Sequence, residues 1–199
     1  MKKRTIVLLM AAVMLLGVVT GGTVAWLTTQ SGPVTNTFTI GDINIELWEH
    51  NLQEDGSLGN TKVIQNDYDI IPGVDYNKDP FVIVKGESEA HWLFIEITEE
   101  NNTFGDPEQK YITYSVDTSV WTALDAVNYP GVYYRDESAT ATDVEHSILL
   151  NNEVTVNSTI TKDNIPEDGD EPQIIFKAYA VQKEAATNAA SAWGLAKQN

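Results

Sequence analysis

The chain has 199 residues, with 12 Lys and Arg against 29 Asp and Glu for a formal charge of −17, and no cysteine. That length suits one domain of ordinary size. The missing cysteines exclude disulfides, cysteine nucleophiles, Cys-ligated zinc and iron–sulfur clusters. The acidic balance argues against nucleic-acid binding, which sets Lys and Arg against phosphates.

The first segment differs from everything after it. Lys2, Lys3 and Arg4 precede an almost unbroken apolar run from Ile6 to Val19, and the small residues Thr23 and Ala25 follow. A basic start, a short apolar core and a small-residue exit describe a secretory signal peptide over residues 1–25, cut between Ala25 and Trp26. A retained transmembrane anchor is the alternative, but spanning a bilayer takes about 20 apolar residues. Reaching Leu27 requires counting Thr20, Gly21, Gly22 and Thr23. Removal of residues 1–25 takes three basic groups and no acidic one, so the product carries −20. It also takes Met1, Met10 and Met14, which leaves an exported chain without sulfur to oxidise.

Residues 26–199 read as one β domain. Val34, Asn36, Phe38 and Ile40 alternate with threonines, the two-residue period of a half-buried strand. After Gly41-Asp42 the phase flips to Ile43, Ile45 and Leu47, which suggests a bulge or bend. Further alternating runs are Leu93, Ile95, Ile97; Ile112, Tyr114, Val116; and Val154, Val156, Ile160. Phe81 to Val84 and Ile174 to Phe176 are apolar on both faces, as central or partner-covered strands are. Turn signals at Asp55-Gly56, Pro72-Gly73, Gly105-Asp106-Pro107, Pro130-Gly131 and Asp168-Gly169 separate the runs. Short strands at this spacing predict an all-β sandwich or barrel, not a parallel sheet with crossover helices. Ala185, Ala189, Ala192, Trp193 and Ala196 form a helical stripe, predicting a short C-terminal helix that docks Trp193 on the sandwich.

Enzyme motifs are scarce. There is no His-Glu-x-x-His helix, no Gly-x-Ser-x-Gly elbow and no phosphate-binding glycine loop. His50, His91 and His146 lie far apart in the chain, so a zinc site would require all three to converge, and no catalytic residue is assigned. Calcium is the better metal candidate, because the loop Glu167–Glu171 crowds carboxylates around Gly169, although it lacks the EF-hand spacing. A solvated acidic loop is the plainer account of it, and no cofactor is required. Trp48, Trp92, Trp121, Tyr133 and Tyr134 fall in strand-like segments. Core packing accounts for them, with a carbohydrate-binding face as the alternative.

Several blocks together resemble the TasA/camelysin family. They are Gly21 to Leu27, Asn36-Thr37-Phe38-Thr39-Ile40-Gly41 and Ile43 to Leu47, followed by Ile71-Pro72-Gly73 and Lys78-Asp79-Pro80. Trp121-Thr122, Val132 to Arg135, Phe176 to Gln182 and Ala192-Trp193 continue the likeness, which spans nearly the whole exported chain. The resemblance implies a jelly-roll-like antiparallel β-sandwich, secreted to the cell surface or biofilm matrix, whose leader is removed by a SipW-type signal peptidase. It implies assembly into fibres by donor-strand complementation, in which an extended N-terminal segment completes the sheet of the next subunit. In this chain residues 26–40 would be the donor, with Trp26, Leu27, Phe38 and Ile40 as its apolar side chains. The implied partners are copies of itself and other matrix proteins, with membrane contact only through an uncut leader. A camelysin-like metalloprotease and a monomeric adhesin or sugar-binding module are the alternatives.

Overall fold

The computed structural model describes residues 36–37, 43–166 and 170–198. The leader, the cleavage pair Ala25 and Trp26, the donor residues Trp26, Leu27, Phe38 and Ile40, the Gly41-Asp42 phase change, and Glu167, Asp168 and Gly169 lie outside the described residues.

The largest sheet has five strands. Its order is β1 (Asn36–Thr37), β14 (Gln173–Gln182), β6 (His91–Glu100), β11 (Tyr129–Glu137) and β10 (Thr122–Asp125). Opposite it lie a four-stranded sheet, β12 (Val144–Ser147), β5 (Phe81–Val84), β2 (Ile45–Leu52) and β3 (Leu58–Val63), and a three-stranded sheet, β4 (Asp75–Asn77), β13 (Leu149–Val156) and β9 (Ile112–Val116). A small hairpin, β7 (Thr103–Phe104) with β8 (Asp106–Lys110), leads from β6 towards β9. The chain changes sheet at β5–β6, β11–β12 and β13–β14, the crossing pattern of a sandwich. Among the described residues β1 on β14 is the one parallel pairing, with Asn36 opposite Ala178 and Thr37 opposite Tyr179.

Alternation explains which faces are buried. On β6, Leu93, Ile95 and Ile97 meet Ile45 and Leu47 of β2, Val82 and Val84 of β5, and the inward residues of β9 and β13 in one continuous core. Phe94 points to the other side, where Val132, Tyr179 and Val181 form a second apolar layer under the C-terminal helix α1 (Ala189–Ala196). The strand β14 is therefore covered on both faces, which is why its sequence is apolar at nearly every position. The strand β5 is also buried throughout, although for another reason. Val82 and Val84 enter the core, while Phe81 is roofed by the His50 ring, stacked with centroids 4.8 Å apart, and by Lys62.

The helix starts where its cap dictates. Asn188 accepts a hydrogen bond from Ser191 N–H at 2.9 Å, and Ser191 Oγ reaches back to the Asn188 backbone. Trp193 is buried against Phe94 and edge-on to Tyr179, as its place on the apolar stripe predicts. The stripe begins later than expected, because Ala185 belongs to a separate single turn of 3-10 helix, Lys183–Ala185.

Two turn signals and one strand residue read differently. Pro130-Gly131 lies inside β11, not between strands. Gly131 has φ +76°, and a Cβ there would sit 2.3 Å from the Ile97 carbonyl oxygen, so the glycine permits the close approach of β11 to its neighbour β6. Asp106 and Pro107 belong to β8, with Gly105 alone making the bend. Ile160 is buried as expected but lies in the turn after β13.

Candidate functional site

Two polar clusters interrupt the apolar interior. The first is built on β2, whose inward phase runs Ile45, Leu47 and then Glu49. Glu49 is 4 % exposed, and its Oε1 lies 2.7 Å from the ammonium of Lys78, itself 2 % exposed. The other oxygen, Oε2, accepts from the side-chain amide of Asn66 at 3.1 Å. Asn66 is held at every polar atom: its Nδ2 also donates to the His50 carbonyl at 2.8 Å, and its Oδ1 accepts from Leu52 N–H at 2.8 Å. Lys78 directly follows β4 and is anchored by its own N–H, which donates to the Asn152 carbonyl at 2.8 Å.

Aromatic rings seal this cluster. The Lys78 Nζ lies 5.0 Å from the Tyr68 ring centroid and 5.7 Å from that of Phe176. Both rings are buried, and the Tyr68 hydroxyl has no hydrogen-bond partner. Burial, reinforced by the nearby carboxylates of Glu49 and Asp79, pushes the Tyr68 phenol well above its ordinary range. Removing either partner of the Glu49–Lys78 pair would leave a buried unpaired charge, at a cost of about 3–5 kcal/mol.

The second cluster lies between the two main sheets, near the start of β6 and the end of β11. His91 is fully buried, and its Nδ1 donates to the Glu89 carbonyl at 2.7 Å, which leaves Nε2 as a buried acceptor without a partner. Glu137 stands directly across from His91 in the β6–β11 register. Its Oε1 is bound by the Arg135 guanidinium and lies 3.2 Å from His146 Nε2, contributed by β12. Arg135 also donates to the Val120 carbonyl and lies over the Trp121 ring, and Trp121 is edge-on to His146. Burial lowers the affinity of both imidazoles for a proton. For His91 the Glu89 carbonyl and Glu137 work against it, and for His146 Arg135 adds to it while Glu137 opposes.

Two of the three histidines thus come together and the third does not. His50 lies in the outward phase of β2, where its Nδ1 meets Asp79 Oδ2 at 2.6 Å and its N–H donates to Asp79 Oδ1 at 3.0 Å. A three-histidine zinc set is not assembled. Among the described residues no group of three or more His, Cys, Asp or Glu is arranged to hold a metal ion. Of the acidic loop, Asp170 is exposed and Glu171 half-buried.

The chain matches no known family model, no curated protein and no solved structure. Its function is therefore argued from its own residues.

The aromatic residues serve the core. Trp121 is 1 % exposed and donates its indole N–H to the Ser147 carbonyl at 2.7 Å. Trp92 and Tyr134 pack beside Phe94 in the layer beneath α1, and Tyr133 packs against the main core. Trp48 lies half-buried on the outer face of β2, with its indole N–H on Glu46 at 3.1 Å. No helix among the described residues is long and apolar enough to cross a membrane.

Sequence patterning missed the Glu49–Lys78–Asn66 cluster, although one signal was available. Glu49 continues the apolar phase of Ile43, Ile45 and Leu47, so a strand-period reading puts a carboxylate in the core. A buried carboxylate demands a partner, and the partner follows from the fold alone.

Proposed function

We propose that the chain is a secreted structural protein of the cell surface or biofilm matrix, which assembles into fibres by donor-strand complementation. The leader 1–25 directs export, and a SipW-type signal peptidase cuts between Ala25 and Trp26. Residues 26–40 act as the donor, and the partners are further copies and other matrix proteins.

The observation that carries this reading is the seat of β1. The N-terminal strand lies parallel on β14 at the margin of the five-stranded sheet, and the chain next enters the opposite sheet through β2. A strand in that position contributes main-chain hydrogen bonds at a sheet edge, and the same segment from another copy makes the same bonds. Exchange that runs head to tail without closing gives open filaments. The reading uses no catalytic residue. The charge of −20 left after leader removal keeps free subunits apart, so added salt or divalent cations favour association.

The test compares protein starting at Trp26 with protein starting at Gly41, both checked for folding by circular dichroism. Electron microscopy and light scattering are then recorded across salt and calcium concentrations. Filaments from the longer form alone, restored to the shorter form by a synthetic 26–40 peptide, are expected. Equal assembly by both forms places the donor elsewhere, and a longer form that stays monomeric at high concentration rejects the fibre role.

A further inference from the structure

The Glu49 carboxylate holds an amine on one oxygen and a carboxamide on the other, in a pocket closed by two aromatic rings. A structural ion pair needs only the amine. The amide, its polarising donor and the exclusion of water are what a transamidation needs. We propose that Lys78 and Asn66 condense into an intramolecular isopeptide bond, with Glu49 as the group that moves the protons.

Each participant is already placed. Lys78 passes a proton across the 2.7 Å contact to Glu49 Oε1, which frees the lone pair of Nζ. That pair attacks Asn66 Cγ, and the charge that develops on Oδ1 is met by the Leu52 N–H, 2.8 Å away, in the role of an oxyanion donor. Glu49 delivers a proton to Nδ2 through Oε2, from which it stands 3.1 Å. The Cγ–Nδ2 bond then breaks, and its electron pair leaves with the nitrogen. Nζ begins with three protons and ends with one. The first of the other two makes ammonia of the departing group, the second makes it ammonium, and Glu49 returns to a carboxylate. No oxidant, reductant or cofactor enters the balance. The Tyr68 hydroxyl, buried beside the carboxylate and unpartnered, is a further donor facing the same pocket.

Orientation is supplied by the surrounding backbone. Asn66 is fixed through both ends of its amide and Lys78 through its main-chain N–H on Asn152, and Glu49 holds the two side chains on its two oxygens.

The fold carries an internal control. Glu99 accepts from Lys110 at 2.7 Å and from Asn102 at 2.9 Å, which brings together the same three residue types. There both bonds fall on one oxygen, and the amine stands in water, with the Lys110 side chain 39 % exposed. Solvation of the ammonium opposes its deprotonation, and no bond is expected at that site.

Intact mass spectrometry of the purified, folded chain decides the matter. A mass below that of the sequence by one ammonia, about 17 Da, is expected. Tryptic mapping should then show residues 63–85 as one peptide, uncut after Lys78 and lighter by about 17 Da, and further cleavage before Asp67 and Asp75 should leave the pieces that hold Asn66 and Lys78 joined. Glu49→Gln should keep the full mass with both side chains free; should that variant not fold, the wild-type mass and map decide alone. Full sequence mass in the folded wild type after prolonged incubation overturns the proposal. So does an ammonia loss that maps to a cyclised asparagine, or to Asn102 and Lys110. This outcome is independent of whether the chain polymerises.

Discussion

Replacing Trp193 with alanine tests whether α1 is integral to the sandwich. The helix has eight residues, too few to persist in water without tertiary support. Its support is concentrated in one side chain: Trp193 is 4 % exposed, 5.4 Å from the Phe94 centroid and 5.2 Å from that of Tyr179. A buried tryptophan covers roughly 150–250 Å², which at about 25 cal/mol per Å² is about 4–6 kcal/mol as an upper bound. Measured truncations of buried aromatic residues cost about 3–5 kcal/mol, so a loss of about 4 kcal/mol is expected. With a urea slope of about 2 kcal/mol per M, the unfolding midpoint falls by about 2 M. The substitution also uncovers Phe94, Tyr179 and Val181, so dye binding to exposed apolar surface should rise. A midpoint shift below about 0.5 M, with unchanged dye binding, refutes the docked helix as a major source of stability.

Two further perturbations follow from the interior. His91 and His146 both bind protons less readily when folded than when free, so the unfolded chain takes up protons that the folded chain refuses. Their contribution is present above the ordinary histidine value of about pH 6.5 and is lost as pH falls below it. Denaturation midpoints measured at successively lower pH should fall, and His146→Gln should flatten the slope; an unchanged slope means that His146 does not titrate on unfolding. Gly131→Ala places a Cβ against the Ile97 carbonyl at positive φ. The conformational cost alone is about 1–2 kcal/mol, and Tm should drop by at least about 2 °C. A drop under about 1 °C would show that β11 moves away from β6 without resistance.

Periodicity revealed the layers but not what lies between them. The inward phases Ile43, Ile45, Leu47 and Leu93, Ile95, Ile97 were legible because a two-residue period assigns each side chain to a face. The two-sided runs Phe81 to Val84 and Ile174 to Phe176 were legible because central strands have no polar face to keep. Pro130-Gly131 misled because the pair is turn chemistry in most contexts, whereas here the glycine serves the close approach of two paired strands. The polar clusters escaped for a different reason. Glu49, Asn66 and Lys78 come from a strand, a loop and a strand end, and Glu137 meets His146 only because β11 and β12 belong to different sheets that face each other. Contacts of that kind depend on register and topology, and register leaves no mark on residues that look ordinary one at a time.

The parallel seat of β1 on β14 also sets how the molecule responds to pulling. In a parallel pair the two strands run the same way, so tension drawing the chain backwards from Asn36 and forwards from Gln182 slides one strand along the other. The bonds between Asn36–Thr37 and Ala178–Tyr179 then bear the load together in shear instead of parting one after another from an end.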